Sequence, residues 1–257
     1  ADKSAIPTTL VSEFAKKDVT VALSADGGDE VLTGYKYHAQ FVANALSGDA
    51  CSAKRGKPIE NYYNMLAKGA AHCPSKFLKT SKAKIIDYMY EWIPVDCFSG
   101  VAVNDFLFVE TLCHLPEDYL IRNDRLGMYF SMEGRFPLTT GSFKQYAIAI
   151  SPAHKFASKH LKSVKTNHCK QLSKKAYKNH LPDYIIDKFK TGWAIPPSWL
   201  SSKQFRKQWQ KSIFCAGYHE ATDKLFDFKA LRTKGNLRSI MTALYFRVWA
   251  QKFNITI

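Results

Sequence analysis

The 257 residues (29.2 kDa) suffice for one large domain, or two small ones, with a buried core. A hydrophobic fraction of 46% with 14% aromatics excludes a disordered chain, and no apolar run approaches the roughly 20 residues that a membrane-spanning helix needs. A formal charge of +15 and a pI near 9.5 point to an anionic partner, for which nucleotide, nucleic acid and acidic membrane all qualify.

Pro7 stands where a helix opens, and Leu10, Val11, Phe14 and Ala15 recur at helical spacing, so residues 7–17 are predicted as a short amphipathic helix. Val19, Val21, Ala22 and Leu23 form a brief apolar run of the kind found in a strand buried on both faces. It stops at Ser24. Ala25-Asp26-Gly27-Gly28-Asp29-Glu30 is a turn of glycines and carboxylates, after which Val31, Leu32, Tyr35, Tyr37, Phe41, Val42 and Leu46 support a helix to about residue 47. Segments 60–70, 81–92, 104–114, 117–131, 141–150, 166–180, 202–214 and 236–252 carry helical periodicity or composition, separated by Pro, Gly or Ser. Residues 48–59 read as an exposed connection and 94–101 as a second break.

One strand cannot make a sheet. We therefore expect an α/β fold, predominantly helical in this portion, in which 1–47 end a nucleotide-binding strand-loop-helix part and 48–257 form a helical bundle. The rest of the sheet would precede Ala1, whose flanking residues carry neither an initiator Met nor an export pattern. The expected location is the cytoplasm. Six cysteines without a CxxC pair read as reduced thiols, and the Cys113/His114 and His168/Cys169 pairs lack zinc-ligand spacing.

The loop carries the chemistry. Ser24, Gly27 and Gly28 between a strand and a helix allow backbone N–H groups to approach a ligand closely, and a helix N-terminus favours phosphate. Asp26, Asp29 and Glu30 would repel a polyphosphate unless a divalent cation intervenes, so a nucleotide here calls for magnesium. The plainer alternative is a tight turn with Asp26 or Asp29 as N-cap and Glu30 in the first helical turn.

Three blocks then resemble one family. Ser4-Ala5-Ile6-Pro7-Thr8, the stretch from Val19 to Glu30, and Gly34-Tyr35 resemble the synthetase domain of glutamine-dependent asparagine synthetases, with its Ser-Gly-(Glu/Asp)-Gly-x-Asp-Glu signature followed by Gly-Gly-Tyr. Ala25 and Thr33 stand where that pattern has Gly. Residues 123–138 are similar to the Asp-Arg-x-x-Met-x-x-Ser-x-Glu-x-Arg-x-Pro stretch through Asp124, Arg125, Met128, Ser131, Glu133, Arg135 and Pro137. Asp124, Met128 and Ser131 are spaced to share a helix face, beyond which Glu133 and Arg135 could meet a bound amino acid. Leu138-Thr139-Thr140 depart from the family's Phe-Leu-Asp. Residues 181–196 resemble its Leu-Pro-x-x-Ile-x-x-Arg-x-Lys-x-Gly-Phe-x-x-Pro signature, with Lys190 as its lysine.

The resemblance implies an adenine-nucleotide alpha hydrolase-like sheet and an ATP-dependent ligase. Such an enzyme adenylates a carboxylate, aspartate above all, and makes the amide with ammonia from a glutaminase domain. It implies Ser24, Ala25, Gly27 and Gly28 against ATP, Asp26, Glu133 and Lys190 as catalytic residues, Asp124 and Arg135 at the acceptor, and Asp29 and Glu30 at magnesium. The family's pyrophosphate loop and glutaminase cysteine are not among these residues, so the isolated chain is expected to be inactive without the missing N-terminal part. A homodimer is compatible with this reading. Sugar amination and lactam closure stay open as related reactions. The rival class is a basic helical module on nucleic acid, since residues 144–190 hold eleven lysines, no arginine and two aspartates. Their spread through helices without a reading motif favours a solvated face or a slope towards ATP.

Overall fold

The run Val21-Ala22-Leu23 becomes a strand because a second one lies beside it. The computed structural model describes residues 4–46, 57–68, 79–157, 168–190, 192, 202–204, 207, 211, 220–234 and 237–255. In it, β1 (Val21–Leu23) pairs in parallel with β2 (Glu133–Arg135), placing Val21 opposite Glu133, Ala22 opposite Gly134 and Leu23 opposite Arg135. The Glu133 N–H donates to the Thr20 carbonyl at 2.8 Å and the Ser24 N–H to the Arg135 carbonyl at 2.9 Å, so the pairing continues past both strand ends. The expectation that β1 is buried on both faces is corrected: Val21 and Leu23 are exposed, Leu23 by 75%.

The predicted order of helix, strand, acidic loop and helix is observed as α1 (Ala5–Ala15), β1, the turn at 24–27, α2 (Gly28–Leu32) and α3 (Lys36–Leu46). Two details differ. The apolar stripe Leu10, Val11 and Phe14 of α1 is exposed, and the helix expected over 31–47 is broken at Thr33, which takes left-handed backbone (φ 62°). A β-branched residue is strained there. Its Oγ1 donates to the Leu32 carbonyl at 2.6 Å, and the break lets the chain turn between α2 and α3.

Downstream, α4 (Pro58–Lys68), α5 (Lys82–Trp92), α6 (Ala102–Leu112), α7 (Ile121–Tyr129), α8 (Gly141–Ala149), α9 (Pro152–Lys155), α10 (Gln171–Tyr177) and α11 (Asp183–Ile186) follow, then α12 (Glu220–Leu225), α13 (Phe228–Lys234) and α14 (Leu237–Lys252). The chain is thus α/β and mostly helical. Most of the 48–59 connection and of the 202–214 helix lies outside the described residues. The helix expected over 117–131 is divided into a π-helical segment, Leu115–Leu120, and α7. Ser131 is not on the face shared by Asp124 and Met128. It takes φ 56° just beyond α7, where its N–H donates to the Met128 carbonyl and the Met132 N–H to that of Gly127, a Schellman cap built on serine instead of glycine. That cap turns the chain from α7 into β2.

The contacts divide the chain into two units. In the unit of residues 8–65 and 90–192, Phe41 stacks on Phe106 with ring centroids 4.4 Å apart and Tyr62 packs on the same ring. Val31 and Leu32 of α2 pack with Ala147 of α8, flanked by Phe143 and Ile148. Full burial of a Val, Leu or Phe side chain such as Val31, Leu32 or Phe41 contributes about 1.5–3 kcal/mol. This packing fixes α2, and with it Asp29 and Glu30. The unit of residues 1–7, 66–89 and 193–257 has its own core of Phe226, Leu231 and Ala243, where buried Arg247 pairs with Asp223 at 2.8 Å and lies over the Phe228 ring. No described helix is long and apolar enough to cross a membrane.

Candidate active site

The acidic loop turns on Gly27, whose φ of 89° is open to glycine without strain. Gly27 is also the N-cap of α2, so neither Asp26 nor Asp29 caps the helix as the plainer reading expects. A side chain at Gly27 would collide with Thr139 Cγ2, and one at Gly28 would come within 2.8 Å of Leu138 Cδ1. The residues that depart from the family pattern after Pro137 therefore pack onto the glycine turn. The Gly28 N–H donates to the Ala25 carbonyl at 3.2 Å. Ala25 has no left-handed backbone, so its methyl brings no strain.

Asp26 is held from two sides. Ser24 Oγ donates to its Oδ2, and Asn123 Nδ2 donates to the same atom at 2.6 Å. Asn123 is the residue through which α7 reaches the loop, while its neighbour Asp124 is exposed. Glu133 and Arg135, on one face of β2, bond to each other with Nε 2.9 Å from Oε1.

Asp29 is the meeting point. Lys190 Nζ stands 2.5 Å from its Oδ2, and Lys170 Nζ pairs with its Oδ1. Burial alone would raise this carboxyl, but the two ammoniums outweigh it and hold it below the ordinary range. Lys190 also lies 4.9 Å from the Tyr35 ring centroid. Glu30, buried beside Asp29, accepts the Tyr35 hydroxyl at 2.5 Å, and burial raises its pKa.

A buried network stands behind the loop. His38 Nδ1 lies 3.2 Å from the Asp29 carbonyl and its Nε2 3.5 Å from Glu110. Glu110, fully buried, also accepts the Tyr37 hydroxyl at 2.7 Å and contacts His114 Nδ1 at 3.0 Å. Burial would raise the Glu110 carboxyl, yet His114 and His38 hold it well below the usual range. His114 leads on to Asp118 and Arg122. Lys170, His38, Glu110 and Asn123 have no part in the site predicted from sequence, and of these only Asn123 had a signal, its place beside Asp124.

A family model described as asparagine synthase matches residues 1–248. The chain belongs to the asparagine synthase family. It is 24% identical over 281 aligned residues, 97% of this chain and 43% of the relative, to asparagine synthetase [glutamine-hydrolyzing] 1 of Bacillus subtilis (strain 168). A second match is the putative asparagine synthetase [glutamine-hydrolyzing] 2 of Methanocaldococcus jannaschii, 62% identical over 37 residues, 14% of this chain and 7% of the relative. The chain thus spans less than half the length of the curated relatives it matches. No solved structure matches it. In this member of the asparagine synthase family, the acidic loop, Asn123 and Lys190 converge from all three sequence blocks.

Proposed function

We propose that the chain is part of an ATP-dependent ligase, of the glutamine-dependent asparagine synthetase kind, with an adenine-nucleotide alpha hydrolase-like sheet to which β1 and β2 belong. The single observation that carries the reading is the pairing of Lys190 with Asp29 across 161 positions. It brings the one basic residue expected at phosphate to the loop expected at ATP. In the proposed reaction a carboxylate oxygen of aspartate bonds to the α-phosphorus of ATP, pyrophosphate leaves, and ammonia from glutamine displaces AMP to form the amide.

In this reading Ser24, Ala25, Gly27 and Gly28 border the nucleotide. Lys190 offers a mobile point charge to phosphate oxygens as negative charge develops. Asp26, oriented by Ser24 and Asn123, acts at the reacting carboxylate. Glu133, Arg135 and the exposed Asp124 receive the acceptor amino acid. Asp29 and Glu30 are hard oxygen donors, the ligand type magnesium takes. Both oxygens of Asp29 hold ammoniums and Glu30 holds Tyr35, so a cation enters only by displacing lysine, and Glu30 serves chiefly to shape the loop.

The nucleic-acid reading loses support from the same contacts. Of the eleven lysines in 144–190, Lys155 is fully buried, and Lys170 and Lys190 are engaged by Asp29, which leaves fewer to coat a polyanion. In the complete protein, Lys190→Ala is expected to abolish ATP–pyrophosphate exchange without altering thermal unfolding. Undiminished exchange overturns the proposal.

A further inference from the structure

Asp26 lies between two points at which the backbone of the acidic turn is pinned, and both pins come from one short segment. Before Asp26, the Ser24 N–H donates to the Arg135 carbonyl at 2.9 Å. After it, Gly27 and Gly28 meet Thr139 and Leu138, which stand in a 3-10 helical turn (Pro137–Thr139) just beyond β2. The chain from Arg135 to Thr139 thus supports the turn on both sides of Asp26.

The contact at Gly27 is a methyl group. Any Cβ there would collide with Thr139 Cγ2, so glycine is what lets that methyl sit against the backbone. Thr139 is itself locked. Its N–H and its Oγ1 both donate to the Phe136 carbonyl, at 3.0 and 2.8 Å, which commits the hydroxyl and leaves the methyl for Gly27. Buried Leu115, at the head of the π-helical segment, packs close as well, its Cδ2 3.7 Å from where that Cβ would stand. Such π segments concentrate at functional sites. The close approach that Gly27 and Gly28 permit is therefore taken, on this side, by Thr139 and Leu138.

We infer that Thr139 is a positioning residue for Asp26: its methyl group, pressed on Gly27, fixes the turn that aims the Asp26 carboxylate. The inference rests on the functional reading above, in which Asp26 acts at the reacting carboxylate, and names a residue which that reading does not contain. Thr139 acts through the backbone, whereas Ser24 and Asn123 hold the Asp26 side chain. A misplacement of about 1 Å at a reacting group can cost about a hundredfold in rate, so a contact of this size is enough to matter.

Two substitutions separate the parts of Thr139. Thr139→Ser removes the methyl and keeps the hydroxyl on Phe136, while Thr139→Val keeps a methyl and removes the hydroxyl. Amide hydrogen exchange in the complete protein tests the contact without reference to catalysis. The Gly28 N–H, bonded to the Ala25 carbonyl, and the Val31 N–H, bonded to the Gly27 carbonyl, are the reporters. Both should exchange at least about tenfold faster in Thr139→Ser and within about twofold of the parent in Thr139→Val. The Glu133 N–H, bonded to the Thr20 carbonyl in the sheet, should keep the parent's rate in both. For the ATP–pyrophosphate exchange of the proposed reaction, kcat should fall at least about tenfold in Thr139→Ser and be retained in Thr139→Val. Unchanged hydrogen exchange at Gly28 in Thr139→Ser, equal losses in the two variants, a matching acceleration at Glu133, or a loosened turn with undiminished kcat overturns the inference. Failure of the enzymatic reading is separate: a parent protein without ATP–pyrophosphate exchange would end that reading, while hydrogen exchange would still decide whether the methyl holds the turn.

Discussion

His38 Nδ1 stands 3.2 Å from the carbonyl oxygen of Asp29. A carbonyl only accepts, so this nitrogen carries the proton, and the opposite nitrogen faces the buried Glu110 carboxylate at 3.5 Å. Asp29 is thereby tied through its backbone to a buried anion that also accepts from Tyr37 and contacts His114. Removing the charge leaves those partners facing an amide inside the core. Glu110→Gln is expected to destabilise the chain by about 3–5 kcal/mol, as when one partner of a buried pair is removed. Asp118→Asn, at the more exposed end of the same network, should cost under about 1 kcal/mol. Denaturant unfolding of both variants checks the contrast, and equal costs would show that Glu110 is not the centre of the network.

The dependence of stability on pH follows from two buried basic groups whose pKa values are shifted in opposite directions. Burial would lower the pKa of His114, but Asp118 and Glu110 outweigh it and raise it from 6.5 to about 10. The folded state holds that proton where the unfolded state has lost it, so the contribution is full below pH 6.5 and declines as pH rises through 10. Lys155 is the reverse. Burial depresses it from 10.5 to about 7, the unfolded state binds the extra proton between those values, and stability gains with pH across the same interval. Between pH 7.5 and 8.5 the two slopes should nearly cancel in the parent chain. Lys155→Met should show stability falling over that interval and His114→Asn should show it rising. Urea unfolding at several pH values measures the slopes, and parallel profiles for the two variants would refute the assignment.

The contrast between what the residues announce and what only the fold reveals is physical. Val21-Ala22-Leu23 carries strand propensity in its own side chains, and the glycines and carboxylates after it signal a turn directly. Glu133-Gly134-Arg135 has none of that propensity and is extended only because β1 supplies its backbone partners, a contact across more than a hundred residues. Ser131 and Thr33 take left-handed backbone at places where glycine is the usual signal, so the end of α7 and the break before α3 were not visible. Lys190 was legible through its block. Lys170 was not, because one lysine among many in a basic stretch is distinguished only by the carboxylate it reaches.

Gly34 offers a sharper test of how tightly the ammonium cluster is built. Its backbone is not left-handed, so an alanine there suffers from lack of space and not from conformation. The added methyl group falls on Asp29 Oδ1 and against Lys170 Cε. Gly34→Ala should cost about 1–3 kcal/mol in unfolding free energy and separate Lys170 from Asp29. Gly100→Ala is a control for added bulk, since a methyl group there meets nothing within 4 Å, though its φ of 76° will exact some strain. If Gly34→Ala unfolds at the parent's midpoint, the cluster is looser than these contacts imply.

Glu133 and Arg135 distinguish a surface ion pair from an acceptor site. Both stand on one face of β2, because side chains two apart on a strand share a face, and both are more than half exposed. Water screens such a pair, so breaking it should leave the unfolding midpoint of Arg135→Met or Glu133→Gln at that of the parent. Their backbone has a different role. The Arg135 carbonyl holds the Ser24 N–H, and this contact survives any change of side chain. Effects of these substitutions on catalysis would therefore arise from the side chains themselves and not from movement of the acidic loop. On the proposed function, Arg135→Met in the complete protein is expected to raise the KM for the proposed acceptor, aspartate, at least about tenfold with that for ATP unchanged, since a guanidinium pairs two-pronged with a carboxylate. Steady-state kinetics with each substrate varied in turn gives the answer. Equal rises in both KM values would assign Arg135 to the nucleotide side, and no change in either would reduce the pair to a surface contact.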